Sequence, residues 1–120
     1  MHELSLSQSL IEIVAEHARR HDLERVTEVL VDVGALSCVS PHALSFCFDA
    51  TSRGTIAEGA TLTITVVSTE AWCWTCGKTV TVADRSGGCP DCGGFTVRAA
   101  DPRDLRVTEI VGSLRREGAA

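Results

Sequence analysis

A chain of 120 residues, 44% hydrophobic and 22% charged, has room for one domain or a small domain with an appendage, and its Val, Ile and Leu content excludes disorder as the main state. Three Phe, two Trp and no Tyr predict a small aliphatic core, which a metal staple would help to hold. Sixteen acidic against eleven basic residues give a net charge of −5, which argues against a nucleic-acid partner gripped through its phosphates.

The opening Met1-His2-Glu3-Leu4-Ser5 lacks the basic start and apolar run of a secretory signal. No stretch approaches the ~18 uninterrupted apolar residues of a membrane span. The expectation is a cytoplasmic protein with no membrane partner. Thiols stay reduced in that compartment, so six Cys point to metal before disulfides.

The first predicted element is a helix over roughly 5–21. Leu4, Ile11, Val14 and Ala18 mark its apolar stripe, with Leu10 and Ala15 at the edges. Ser5 and Gln8 fit a capping box, and Glu16 and Arg20 stand one turn apart on the wet face. A β-branched strand follows over 25–34, with Val29, Val31 and Val33 on one face and Val26, Leu30 and Asp32 on the other. Ser40-Pro41 opens a second helix, as an N-cap followed by proline at the first helical position. Ala43, Leu44, Cys47 and Phe48 form its predicted buried face, His42 faces solvent, and Gly54 ends it. A strand over 61–67 turns Leu62, Ile64 and Val66 inward, and another over 105–111 groups Leu105, Val107, Glu109 and Val111 against Ile110. The tail 115–120 is small and polar and predicted to fray.

Between these strands the composition changes. Residues 72–94 hold four cysteines, five glycines and a proline, arranged as Cys73-Trp74-Thr75-Cys76-Gly77-Lys78 and Cys89-Pro90-Asp91-Cys92-Gly93-Gly94. Each Cys-x-x-Cys can curl so that both sulfurs face one ion. The glycine after each pair permits the tight turn, and backbone N–H groups can donate to the thiolates. Twelve residues between the pairs suit a hairpin that brings the two turns together. The product is a tetrahedral four-thiolate site for Zn(II), closed to water and therefore structural rather than hydrolytic. Two disulfides, a thioredoxin-like redox pair and an iron–sulfur cluster are the competing readings. The first is opposed by the reduced compartment, the second by the absence of a βαβ setting and the third by the spacing. Cys47 reads as a small core residue and Cys38 as a buried thiol in a connector. Trp72 and Trp74 are expected to pack over the hairpin.

His2 is the other residue with chemistry. The α-amine of Met1, the amide nitrogens of the next residues and the imidazole can wrap a metal in one plane. Deprotonated amides do this for square-planar Ni(II) or Cu(II). On spacing alone, a plain surface histidine stays open. His17 and His21, four apart, could share an ion or simply sit on a solvated helix end that favours histidine.

The start, the segments Val33-Gly34-Ala35-Leu36-Ser37, Leu44-Ser45-Phe46-Cys47-Phe48-Asp49 and Glu58-Gly59-Ala60-Thr61-Leu62-Thr63-Ile64, both cysteine pairs and Leu105-Arg106-Val107 together resemble the HypA/HybF family of nickel-insertion accessory proteins for [NiFe]-hydrogenase. The resemblance spans nearly the whole chain. It implies a nickel metallochaperone, not an enzyme, with transferred Ni(II) and structural Zn(II). His2 would supply the nickel imidazole, Met1 and Glu3 further backbone nitrogens, and Cys73, Cys76, Cys89 and Cys92 the zinc ligands. The implied partners are a HypB-type GTPase, the hydrogenase large subunit and, in some bacteria, urease maturation proteins; a weak homodimer stays open. Ala35 stands where some relatives carry Glu, and all four His precede residue 43, so no histidine can substitute in the cysteine site.

The expected fold class is α+β: a small mixed three-stranded sheet with two helices, plus an inserted zinc ribbon with four cysteine ligands. Residues 1–70, completed by a returning strand in 100–115, would form the nickel-binding domain, and 71–97 the zinc-binding domain. The alternative function is a zinc-ribbon module that binds protein or RNA. Against RNA, Lys78 and Arg85 are the only basic residues in 72–94, facing Asp84 and Asp91.

Overall fold

The computed structural model describes residues 2–83, 88–99, 101 and 104–115. Its elements run α1 (Glu3–Arg20), β1 (Leu23–Gly34), α2 (Pro41–Thr51), β2 (Thr61–Val67), β3 (Thr69–Cys73), β4 (Lys78–Val82), β5 (Thr96–Val97) and β6 (Leu105–Leu114). Two three-stranded sheets have the orders β2-β1-β6 and β4-β3-β5. The fold is α+β, with two helices and a cysteine-bearing ribbon. The chain divides into two compact units. One is Met1–Val31, Val39–Ile64 and Val107–Ala120; the other is Asp32–Cys38 and Thr65–Arg106. No helix among the described residues is long and apolar enough to cross a membrane.

In the first unit α1 packs against α2. Leu10, Ile11, Val14 and Ala18 of α1 are buried with Val26, Val29 and Val31 of β1 and Leu44 and Phe48 of α2. Ser40 caps α2 as expected: its hydroxyl accepts from the Ala43 amide at 3.2 Å, and Pro41 follows. Ala43 and Cys47 are half-buried flanks rather than core, and His42 is exposed. Glu16 takes both Arg19, in a two-pronged contact, and Arg20 at 3.1 Å.

The start of α1 differs from expectation. The helix begins at Glu3, with His2 as an N-cap that makes no side-chain cap bond, so Ser5 and Gln8 lie inside the helix and form no capping box. The buried stripe is Glu3, Ser7, Leu10, Ile11, Val14 and Ala18, leaving Leu4 and Ala15 exposed. Two polar residues can occupy that stripe because each finds a partner. The Glu3 carboxylate accepts from the Ser40 amide at 3.1 Å, and Ser7 donates to the Leu4 carbonyl at 2.8 Å while accepting from Thr51.

The strands depart from simple alternation at their ends. Val26 is buried despite its parity, and its N–H donates to the Ile56 carbonyl at 3.2 Å, outside the ladder. Val66 is exposed while Val67 is half-buried, its carbonyl taking the Ala35 N–H at 2.8 Å. In β6, Leu105 and Val107 are half-buried but Ile110 replaces Glu109 and Val111 on the inner side. The predicted fraying of 115–120 falls almost wholly on 116–120, outside the described residues.

The second unit is built on the sheet β4-β3-β5. β3 pairs antiparallel with β4, Cys73 opposite Lys78, and with β5, Trp72 opposite Val97 and Cys73 opposite Thr96. Its buried cluster is Ala71, Cys73, Val80, Val82 and Cys89, with Leu36 against it. Arg98 ties this unit together, donating to the Leu36 carbonyl at 2.8 Å and to the Asp104 carboxylate at 2.9 Å. That pair is mostly shielded from solvent, where removing one partner would strand a charge.

Candidate metal centre

Cys73 closes β3 and points into the ribbon core; Cys76 follows in the turn to β4. The Gly77 N–H returns to the Cys73 carbonyl at 2.9 Å, and the Cys76 N–H donates to the Cys73 sulfur at 3.3 Å. The second pair repeats the design. The Gly93 N–H returns to the Cys89 carbonyl at 2.7 Å, the Asp91 N–H donates to the Cys89 sulfur at 3.4 Å, and the Gly94 N–H to the Cys92 sulfur at 3.3 Å. Gly77 and Gly93 sit at φ of 65° and 71°, the left-handed turn that glycine takes without steric cost. These N–H donors are the contacts that hold thiolates in orientation around an ion.

The four sulfurs all lie within 4.8 Å of one another, Cys73 and Cys92 at 3.6 Å. A tetrahedral ion with bonds of ~2.3 Å to sulfur sets its ligands about 3.8 Å apart, so the donor set fits a four-thiolate metal. Cys73 and Cys89 are buried, Cys76 and Cys92 exposed, so one sulfur of each pair anchors the site to the core. Charge tells the same story. The Cys76 amide, before other contacts, lowers the Cys73 thiol to about 7, whereas Cys92 and then Cys73 push Cys76 up to about 12. One sulfur accepts a negative charge readily and Cys76 then resists, the mutual repulsion that a cation among the thiolates would relieve. Lys78 reaches Asp91 at 2.8 Å, linking the two turns through an exposed ion pair that adds little by itself.

His2 is exposed immediately ahead of α1, and its carbonyl accepts the Leu6 N–H at 3.0 Å. Glu3 turns its carboxylate to the Ser40 amide. Met1, the further expected ligand, lies outside the described residues, as do Asp84 and Arg85 of the charge argument. His17 and His21 stack at the far end of α1 with ring centroids 6.4 Å apart.

Two expectations about the surroundings are corrected. Cys38 is exposed, because its left-handed φ of 62° ends the turn with Val39, not the thiol, directed inward. Trp72 and Trp74 do not pack over the hairpin: they are 46% and 74% exposed. Strand alternation turns Trp72 outward, since Ala71 and Cys73 take the inner face, and Trp74 lies beyond the strand in the turn. Phe95, whose carbonyl accepts the Trp74 N–H at 3.1 Å, is also 74% exposed. The Arg98–Asp104 pair and the buried Glu3 carboxylate had no sequence signal beyond the position of Glu3 one turn before Ser7.

The family model described as HypA, hydrogenase/urease nickel incorporation, metallochaperone, matches residues 1–112. Hydrogenase maturation factor HypA of Rhizobium leguminosarum bv. viciae is 49% identical over 113 residues, covering 92% of this chain and 100% of that protein. Hydrogenase maturation factor HybF of Morganella morganii is 45% identical over 112 residues, covering 93% and 99%. The solution structure of the Ni metallochaperone HypA from Helicobacter pylori aligns with a TM-score of 0.67 at 21% identity, covering 96% of this chain and 100% of that one, which supports the fold.

Proposed function

The chain belongs to the HypA family of hydrogenase/urease nickel-incorporation metallochaperones, and from that membership we propose that it carries Ni(II) at its N-terminus and helps insert it into the large subunit of [NiFe]-hydrogenase. The observation that carries the reading is His2, exposed and without a capping bond just ahead of α1. Its imidazole can therefore turn to an ion together with the Met1 amine and the amides of His2 and Glu3. The first N–H groups of a helix have no carbonyl of their own helix to bond, so recruiting the Glu3 amide breaks no helical hydrogen bond and displaces only that residue's own carboxylate. Ligands on a chain end can leave one at a time, which suits delivery by ligand exchange rather than tight storage.

In this reading Cys73, Cys76, Cys89 and Cys92 hold a structural Zn(II) that folds the 71–97 domain. Residues 1–70 with 100–115 form the nickel domain. The protein is a carrier, not an enzyme, works in the cytoplasm, and meets a HypB-type GTPase and, where urease is present, its maturation proteins. A second reading, the ribbon as a docking module, is favoured by the exposed Trp72, Trp74 and Phe95, since exposed aromatics anchor protein interfaces. The two are compatible in one molecule.

The test is Ni(II) titration of untagged, zinc-loaded protein against His2→Ala and against protein with an acetylated amine. High-affinity nickel binding is expected to vanish in both while zinc content stays at one per chain. Unchanged high-affinity binding in both would remove the N-terminal assignment.

A further inference from the structure

We propose that His17 and His21 form a second, weaker and exchange-labile site for a divalent transition-metal ion that favours imidazole, Ni(II) or Cu(II), at the C-terminal end of α1. The two rings lie 6.4 Å apart between centroids and only 6° from parallel. Their spacing is fixed by the backbone, because the His21 N–H donates to the His17 carbonyl at 3.1 Å and closes the last turn. Both side chains are exposed, so small rotations can aim one nitrogen of each at a common point, the arrangement by which residues four apart on a helix chelate an ion.

The electrostatic setting favours a cation there. The last carbonyls of a helix carry its negative end. The two arginines of the last turn are engaged elsewhere: Arg19 grips the Glu16 carboxylate at 2.7 and 2.8 Å, and Arg20 reaches the same group at 3.1 Å. With two protein ligands and the remaining positions left to water, the site would be weak and fast-exchanging. Imidazole donors place Cu(II) above Ni(II) in affinity. The site cannot be part of the one proposed at His2. An 18-residue helix is about 27 Å long, and the two sites lie at its opposite ends.

The experiment is calorimetric titration of the full, untagged, zinc-loaded chain with NiSO4 and, separately, CuSO4, on the parent, His2→Ala, and the double variant His17→Gln/His21→Gln. Imidazole NMR resonances are followed in His2→Ala. The parent should show two classes of nickel binding. The double variant should lose the weaker class, by at least tenfold in affinity, and keep the tighter one. His2→Ala should keep the weaker class, with the His17 and His21 resonances broadening together as Ni(II) is added. Both substitutions are at exposed positions, and an unchanged helical circular dichroism signal confirms that the variants are folded. The proposal is overturned if the parent shows no weaker class, if that class survives in the double variant, or if the two resonances are unmoved by Ni(II). Loss of the tight class on His2→Ala is a separate result, so failure of one site is distinguishable from failure of the other.

Discussion

The two units of this chain solve the problem of a small core in different ways. The first buries Phe48, Leu44 and Val14 completely, together with Val26 and Val29. The second is built around a cluster of Ala71, Cys73, Val80, Val82 and Cys89, and two of those five residues are members of the cysteine cluster. Aliphatic burial can hold the first unit at ~1.5–3 kcal/mol per large side chain. The second has no residue larger than Val in its buried cluster, so on the proposed reading the ion supplies most of its stability. On that reading the comparison separates a part held by apolar burial from a part held by metal.

The sharpest way to break that comparison is to remove the metal. Apparent binding free energies of structural zinc are on the order of 10 kcal/mol, so chelation, or Cys92→Ser, is expected to abolish amide-exchange protection in β3 and β4. Amides of α1 and α2 should stay protected. Equal protection of the ribbon with and without zinc would end the distinction. The converse substitution acts on the other side: Phe48→Ala should cost ~3–5 kcal/mol of the first unit's stability, measured by denaturant unfolding followed through α1 and α2, with zinc content unchanged. A smaller effect sharpens the view of the ribbon surface. Trp74→Ala should change stability by no more than ~0.5 kcal/mol, because the side chain is 74% exposed; a loss of several kcal/mol would mean that the indole supports the site after all.

Much of this arrangement could be read from the sequence. The spacing of Ile11, Val14 and Ala18 located α1, although the pattern alone puts Leu4 on the stripe and Leu10 only at its edge; Ser40-Pro41 located α2, and the two Cys-x-x-Cys pairs with their glycines located the ribbon turns. What escaped depends on residues far apart in the chain. Glu3 occupies the stripe in place of Leu4 because an amide 37 residues away meets its carboxylate, and periodicity carries no trace of that. Arg98 and Asp104 are two charged residues among many until the Leu36 carbonyl is placed beside them. The exposure of Trp72 was within reach: once Cys73 must face an ion, its neighbour on the strand must face away. Cys38 required knowledge of a left-handed turn at a residue that seldom adopts one.

The central claim is a division of labour, with one metal held to fold the ribbon and another held to be passed on. It is tested most directly by a metal-release titration of the loaded, untagged protein from about pH 8 to about pH 5, following nickel and zinc together. Amine, amide and imidazole nitrogens must all be deprotonated to bind, so nickel should leave first and release more than one proton per ion. Zinc on four thiolates should persist to lower pH, because the ion itself suppresses their protonation. Zinc leaving first, or nickel release independent of pH, would contradict a nickel site of terminal nitrogens and point to thiolate or carboxylate ligands instead.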